Sequence, residues 1–433
     1  MFKRLAVLCT VVMASAGLGS AEGASQSGDY IVVLKSGSDS AAVASKHKQK
    51  HGAELSFVYK HALKGYAAKL SAKAFAAVAA DPEVLSISED GIVEGFQAQP
   101  PQVVSNAVLR IDGDESSTRS GDGSGSVNVN IAVLDDGMDA SHPDLNVVGS
   151  TSCVNGRRRD KQSPPGWHGT MVGGFIAALD NGIGRVGVAP GARLWAVQVL
   201  GGNGFGTNSE VICGLDWVVG TRTDSNPAND IAVVNMSLGG KNKHDSGGCP
   251  ASPNDALYVA VCRVVAAGPV IVAAAGNEAT DFRGDWPATN DDVLAVTAMG
   301  DRDGQPGGLG GQFNCDPSFF DDVAAHFSNF ATLPEDQAHT VSAPGVCDAS
   351  TFPGGLYAVG SGTSFSTPLV AGTVALCIAS GACANLPSAQ IVSKIVADAA
   401  GYNQANPSYG FQGDPLRPIS GKYYGYLVRA GLY

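Results

Sequence analysis

The sequence predicts an α/β protein, a doubly wound parallel sheet preceded by a small α+β domain. Two observations carry that expectation. Short β-branched runs (NIAVLDD, RLWAVQVL, DIAVVNMSL, PVIVAAAG, DVLAVTA) are apolar along their whole length, as strands are when both faces are buried. Helical patterns such as NDALYVAVCRVVAAG, ending at a glycine, separate them. Ahead of these, residues 29–96 read as a ferredoxin-like βαββαβ unit: DYIVVL, a polar helix through Lys50, ELSFVY, GYAAKL, AKAFAAVAA and VLSISED. At 433 residues the chain is also longer than one core usually supports.

Taken in order, the chain begins with Lys3 and Arg4, an apolar run over 5–13 and small residues at Gly19, Ser20 and Ala21. This is the pattern of a signal peptide over residues 1–21, with cleavage expected after Ala21. A nine-residue apolar run falls short of the ~20 that cross a bilayer, so no membrane anchor is expected, and the product is expected to be secreted and extracellular. The 29–96 unit ends at QAQPPQ, where two prolines cannot continue a ladder. SSTRSGDGSGS then reads as an exposed loop, and the sheet pattern fills the main domain, 103–433. Gly-rich inserts around Gly247 and over 301–311 read as surface loops, and no internal repeat is visible.

Of 28 Lys/Arg and 40 Asp/Glu, ten and nine fall in the first hundred residues, which leaves 18 against 31 and a net charge of −13 beyond them. So acidic a body argues against nucleic acid or anionic membrane partners. Cys9 lies in the signal segment; Cys153, Cys213, Cys249, Cys262, Cys315, Cys347, Cys377 and Cys383 remain. An even number in an exported chain points to disulfides, with buried free thiols as the alternative. The order alone does not pair them, although Cys377 and Cys383 are close enough to close a small loop.

Three blocks place a reactive residue at a strand end or a helix mouth. IAVLDDG runs a buried strand into Asp135, where open α/β sheets gather their working groups; an ordinary Asp turn is the alternative. GWHGTMVGGFIAAL sets His168 before a helix with Val172, Phe175, Ile176 and Leu179 on one face, and a hydrogen-bonded loop histidine is its plainer reading. GSGTSFSTPLVAGTVAL puts Ser364 where free N–H groups and the helix dipole favour a developing negative oxygen. Pro368 is expected in the first turn of that helix, and a simple N-cap role for Thr363 or Ser364 competes.

The order Asp, His, Ser and the wording of each block resemble the subtilisin family of serine peptidases, and the resemblance spans nearly everything from Val103 onward. It implies a subtilisin-like endopeptidase in which Ser364 attacks a peptide carbonyl, His168 is base and then acid, and Asp135 orients the imidazole. Asn277 in AAAGNE, otherwise only a strand end, resembles the family's oxyanion donor. Substrate is expected between Gly204, Phe205 and Gly206 on one side and Ser237, Leu238 and Gly239 on the other, by added-strand pairing. Asp285, before Trp286-Pro287, falls on the floor of the family's primary specificity pocket, where a carboxylate would favour Lys or Arg; a solvated loop acid is the alternative. Residues 29–96 resemble the family's inhibitory propeptide, whose tail fills the groove until cleavage between about 96 and 102. Protein substrates and this propeptide are the expected partners of a monomer.

The resemblance also implies structural calcium, held by the Asp144 carboxylate, the Asn181 oxygen and the carbonyls of Leu179, Ile183 and Arg185, with Gln102 as a further oxygen. A plain HPDL turn is the alternative. A second family calcium site is not expected, because Thr340 stands where relatives have an Asp. No organic cofactor is implied: Gly182, Gly184 and Gly187 satisfy G-x-G-x-x-G, but the motif follows a helix and enters a strand, the reverse of a dinucleotide site. From another class, a non-catalytic peptide-binding scaffold of the same fold is the rival that reactivity at Ser364 would separate.

Overall fold

A computed structural model describes residues 27–91, 99–162, 164–241, 247–250, 252 and 254–433. The expected signal segment and residues 96–98 of the expected cleavage stretch lie outside them. The chain divides into two compact units, 1–97 and 98–433.

The first unit follows the expected βαββαβ order: β1 (Gly28–Leu34), α1 (Ser40–His51), β2 (Glu54–Tyr59), β3 (Gly65–Leu70), α2 (Ala72–Ala79) and β4 (Val84–Glu89). Its antiparallel sheet has the order β2-β3-β1-β4. Asp39 caps α1 by accepting from Ala41 N at 2.9 Å, and Gly52, at φ 72°, ends it in the left-handed conformation. Val32, Val43, Tyr66, Leu70 and Val78 form its separate core.

The second unit is built on a nine-stranded sheet. Its strands are β5 (Asn130–Asp135), β6 (Val147–Ser152), β7 (Arg193–Gln198), β8 (Val233–Met236), β9 (Val270–Ala274), β10 (Leu294–Gly300), β11 (Val323–Ala324), β12 (Thr340–Pro344) and, at the far edge, Tyr426–Leu427. The order β6-β7-β5-β8-β9-β10-β12 is parallel throughout, with β11 antiparallel on β10. Strand order reverses between β5 and β8, and the carboxyl ends of those strands open the crevice where such sheets bind ligands. Five helices cover the sheet: α3 (Trp167–Ala177), α4 (Asn208–Thr223), α5 (Ala256–Ala267), α6 (Thr363–Ala379) and α7 (Ser388–Ala405).

Alternate strand residues enter opposite cores, which is why the strands are apolar along their length. Ile131 and Val133 pack with α3, α6 and α7, whereas Ala132 and Leu134 pack with α4 and α5. Helix α3 is not the one-sided helix expected, since every residue from Gly169 to Ala177 is buried. Helix α6 is buried from Phe365 to Cys377 and passes through the larger core. Pro368 is the sixth residue of α6 rather than a first-turn residue, so the helix carries a missing donor in its second turn.

The eight cysteines beyond Cys9 pair, as Cys153–Cys213, Cys249–Cys262, Cys315–Cys347 and Cys377–Cys383. Asp301–Gly311 is not the plain surface loop expected. Arg110, fully buried, donates to Asp322 from Nε at 2.8 Å and Nη2 at 2.7 Å, and its Nε lies 3.2 Å from Asp301. Asp322 accepts in turn from Gly307 N and Gly308 N, so the insert is tied to the core through one cation. Removing that cation strands two buried carboxylates. Arg110→Ala should therefore cost about 3–5 kcal/mol in denaturant melts of a proteolytically inert Ser364→Ala chain.

Candidate active site

Strand β5 ends on Asp135, whose side chain is 1% exposed. His168 is the second residue of α3, and its Nδ1 lies 2.8 Å from Asp135 Oδ1 and 2.9 Å from Oδ2. A carboxylate only accepts, so Nδ1 carries the proton and Nε2 is the basic nitrogen. Burial depresses the imidazole, but the Asp135 charge and hydrogen bond outweigh it, and His168 stands above its ordinary pKa.

Asp136, next along, points the other way. It accepts from Gly169 N at 2.8 Å and His168 N at 3.3 Å, supplying α3 with the cap that Gly166 cannot provide. Burial, with the Asp135 charge beside it, pushes Asp136 up to about 6. Gly166 and Gly169 permit this approach: a Cβ on Gly166 would sit 2.0 Å from Asp136 Oδ1, and one on Gly169 would sit 2.2 Å from the Gly137 carbonyl. The glycine that follows His168 thus accommodates the backbone just beyond β5.

Ser364 is the second residue of α6, where a backbone N–H has no helical acceptor. Gly362 precedes the helix at φ 154° and ψ 156°, a region open to glycine alone. Pro368 cannot donate to the Ser364 carbonyl four residues earlier, and Ser237 Oγ does so instead at 2.8 Å. Ser364 Oγ returns a bond to the Ser237 carbonyl at 3.2 Å, and Asn235 Nδ2 holds the Ser237 hydroxyl at 3.0 Å. Asn277 Oδ1 accepts from Thr363 N at 2.9 Å and Thr363 Oγ1 at 3.0 Å, so its amide hydrogens are left for the cleft.

Two adjoining cavities complete the site. One of about 350 Å³ is lined by Asp135, His168, Gly204, Phe205, Gly206, Ser237, Leu238 and Gly239. The other, of about 240 Å³, is lined by Asn277, Asp285, Thr363 and Ser364 and shares the wall from Ser237 to Lys241. The two segments expected to hold substrate therefore line one cavity, although neither is a strand; the short ladder nearby is Gly240–Lys241 with Asp285–Trp286. Asp285 is not a free acid on the pocket floor: Lys241 Nζ lies 3.3 Å away and Asn329 Nδ2 donates at 3.1 Å. Burial still raises its pKa despite Lys241.

The expected calcium residues also converge. Asp144 is fully buried, and its Oδ2 accepts from Arg185 N at 2.9 Å and Tyr357 OH at 3.1 Å. Its Oδ1 has no hydrogen-bond partner among the described residues, and burial pushes the acid up to about 7. A buried carboxylate short of a positive neighbour, with loop carbonyls close by, is chemistry that fits a hard cation. Gln102 differs from expectation, since its Oε1 is taken by the N–H groups of Asn181 and Gly182, both at 2.9 Å.

Sequence reasoning missed the capping by Asp136, the bond from the Ser237 hydroxyl to the Ser364 carbonyl and the pairing of Thr363 with Asn277, because each acts between residues far apart in the chain. It also missed Glu278, which lines the second cavity and accepts from Asn277 N at 3.0 Å. The only signal for Glu278 was its place beside Asn277.

A parallel α/β sheet with a carboxylate–imidazole pair and a helix-mouth serine at its carboxyl edge defines a serine peptidase of the α/β type. The Subtilase family model matches residues 126–411, and the Peptidase inhibitor I9 model matches residues 29–95. The chain is 32% identical over 377 residues to Subtilisin J of Geobacillus stearothermophilus, covering 86% of each chain. It is 33% identical over 378 residues to Subtilisin E of Bacillus subtilis (strain 168), again 86% of each, and 38% identical over 253 residues to Subtilisin of Bacillus pumilus, covering 58% of this chain and 76% of that one. The chain belongs to the subtilase family and is a serine endopeptidase that carries an inhibitor I9 propeptide region. Among the described residues no helix is long and apolar enough to cross a membrane.

Proposed function

We propose that the chain is a secreted, monomeric, self-processing endopeptidase. In this reading Ser364 Oγ attacks the peptide carbonyl, His168 Nε2 takes its proton and later gives it to the leaving amine, and Asp135 holds the productive tautomer. The Ser364 N–H and Asn277 Nδ2 donate to the tetrahedral oxyanion, an interaction whose loss costs about 10²–10³ in turnover. Water then hydrolyses the acyl-enzyme. The observation that carries the reading is the double contact of His168 Nδ1 with Asp135 at 2.8 and 2.9 Å. Substrate backbone lies in extended form between Gly204, Phe205 and Gly206 and Ser237, Leu238 and Gly239. Asp285 is a wall residue of the primary pocket, and its pairing with Lys241 offsets the charge that would select Lys or Arg.

Residues 1–21 are the export signal, 29–96 the intramolecular inhibitor and 103–433 the peptidase. Calcium is structural, held by Asp144, Asn181 and the carbonyls of Leu179, Ile183 and Arg185. When bound it supplies the positive charge that Asp144 lacks.

Asp135→Asn should lower kcat/KM by about 10⁴, while Asp136→Asn stays within roughly tenfold. Because Asp135 is what raises His168, the acid limb of the Asp135→Asn pH profile should also move to lower pH; equal loss in both variants, with folding intact, would refute the assignment. Ser364→Ala should accumulate precursor uncut between 96 and 102, and N-terminal sequencing that finds normal maturation without another protease would exclude self-processing. Chelator should lower the melting temperature of the mature enzyme by several degrees, since a ligand at a hundred times Kd contributes about 2.7 kcal/mol. Asp144→Ala should remove that sensitivity; an unchanged melt and calcium-free elemental analysis would exclude the site.

A further inference from the structure

A second polar cluster lies at the opposite edge of the sheet, where β10 and β12 begin. These strands are parallel neighbours with Ala295 opposite Thr340, and Ala295 N donates to the His339 carbonyl at 3.0 Å, so their entries lie side by side. Asp291 stands on the turn into β10. Asp336, on the short Pro334–Gln337 helix, and His339 lead into β12.

The His339 side chain is 3% exposed. Its Nδ1 lies 2.7 Å from the Val293 carbonyl, which can only accept, so Nδ1 carries the proton and Nε2 of the neutral ring holds a lone pair. Nε2 has no hydrogen-bond partner among the described residues. It is aimed at two carboxylates, 3.8 Å from Asp336 Oδ1 and 3.9 Å from Asp291 Oδ1. One ligand atom from each of the three residues lies within 4.8 Å of the others.

Those separations are too long for an N–H···O bond. They are close to the spacing across a cation bound at ~2.0–2.2 Å to both an imidazole nitrogen and a carboxylate oxygen. An imidazole fixed by Nδ1–H on a backbone carbonyl is also how proteins orient a metal-binding histidine. We propose that His339, Asp291 and Asp336 form a structural site for a divalent transition metal of the zinc type. Imidazole favours such a metal over calcium or magnesium, which take oxygen. Two carboxylates balance its charge, and a water completes a tetrahedron. The metal ties the entries of β10 and β12 together, far along the strands from the Ser364 edge.

The test uses the full-length Ser364→Ala chain, saturated with calcium, stripped of transition metals and titrated with zinc by calorimetry and thermal melting. One zinc should bind per chain and raise the melting temperature by several degrees. His339→Gln and Asp336→Asn should each weaken binding tenfold or more. Zinc held instead at the Asp135–His168 pair would bind equally well in both variants, and that result, or no zinc-dependent rise, overturns the proposal. X-ray absorption at the zinc edge of the unsubstituted site stands independently of whether those variants fold. One imidazole nitrogen among oxygen donors is expected, and a shell without imidazole refutes the site.

Discussion

The burial of helix α6 is the constraint on which the catalytic edge depends. A helix buried from Phe365 to Cys377 runs through the core against β8, β9, β10 and β12, and that placement sets its first turn at the carboxyl ends of the strands. The end of a buried helix must then find partners for its first N–H groups. Asn277, just beyond β9, supplies one by accepting from Thr363 N, and the same bond turns its amide toward the cleft. Pro368 removes a second internal bond, and the Ser237 hydroxyl beyond β8 replaces it. Satisfying the helix mouth therefore assembles, around Ser364, a cavity wall from Ser237 and the side-chain amide of Asn277. The price of a proline in a buried helix is met by a residue that also lines the site.

Asp135 and Asp136 show how adjacent identical residues acquire opposite roles. The alternation of a strand end sends one carboxylate to the imidazole and the other to the N–H groups of α3. Both fix His168, the first through its ring and the second through its backbone. The hairpin Asp348–Phe352 with Leu356–Gly360 then clamps α3, because Ser350 and Thr351 donate to the carbonyls of Met171 and Thr170 at 2.7 Å. Since that hairpin leads directly into α6, one stretch of chain sets the distance between the histidine and serine helices.

The doubly wound sheet and the ferredoxin-like unit are legible because burial on both faces leaves an unbroken apolar run, and burial on one leaves alternation. Asp135, His168, Ser364 and Asn277 are legible because each stands at a strand end or helix mouth marked by glycine. Contacts that cross the chain are not legible: the Arg110 link to Asp301 and Asp322, the pairing of Asp285 with Lys241, and three of the four disulfides. Pro368 falls deeper in its helix than its sequence suggests, because the helix begins at Thr363, where Asn277 replaces a local cap. Gln102 shows the same limit at the 179–185 loop, where local N–H groups take the oxygen that the family resemblance assigns to an ion.

The account turns on one serine being the nucleophile that a neighbouring imidazole activates. Mass spectrometry of the mature protein after treatment with a serine-directed peptidyl phosphonate measures this directly. A single adduct on Ser364, formed faster as pH rises through the His168 titration and absent from His168→Ala, is the result predicted. Modification at another residue, or none in a folded, calcium-loaded protein, would contradict the account and leave a peptide-binding scaffold in its place.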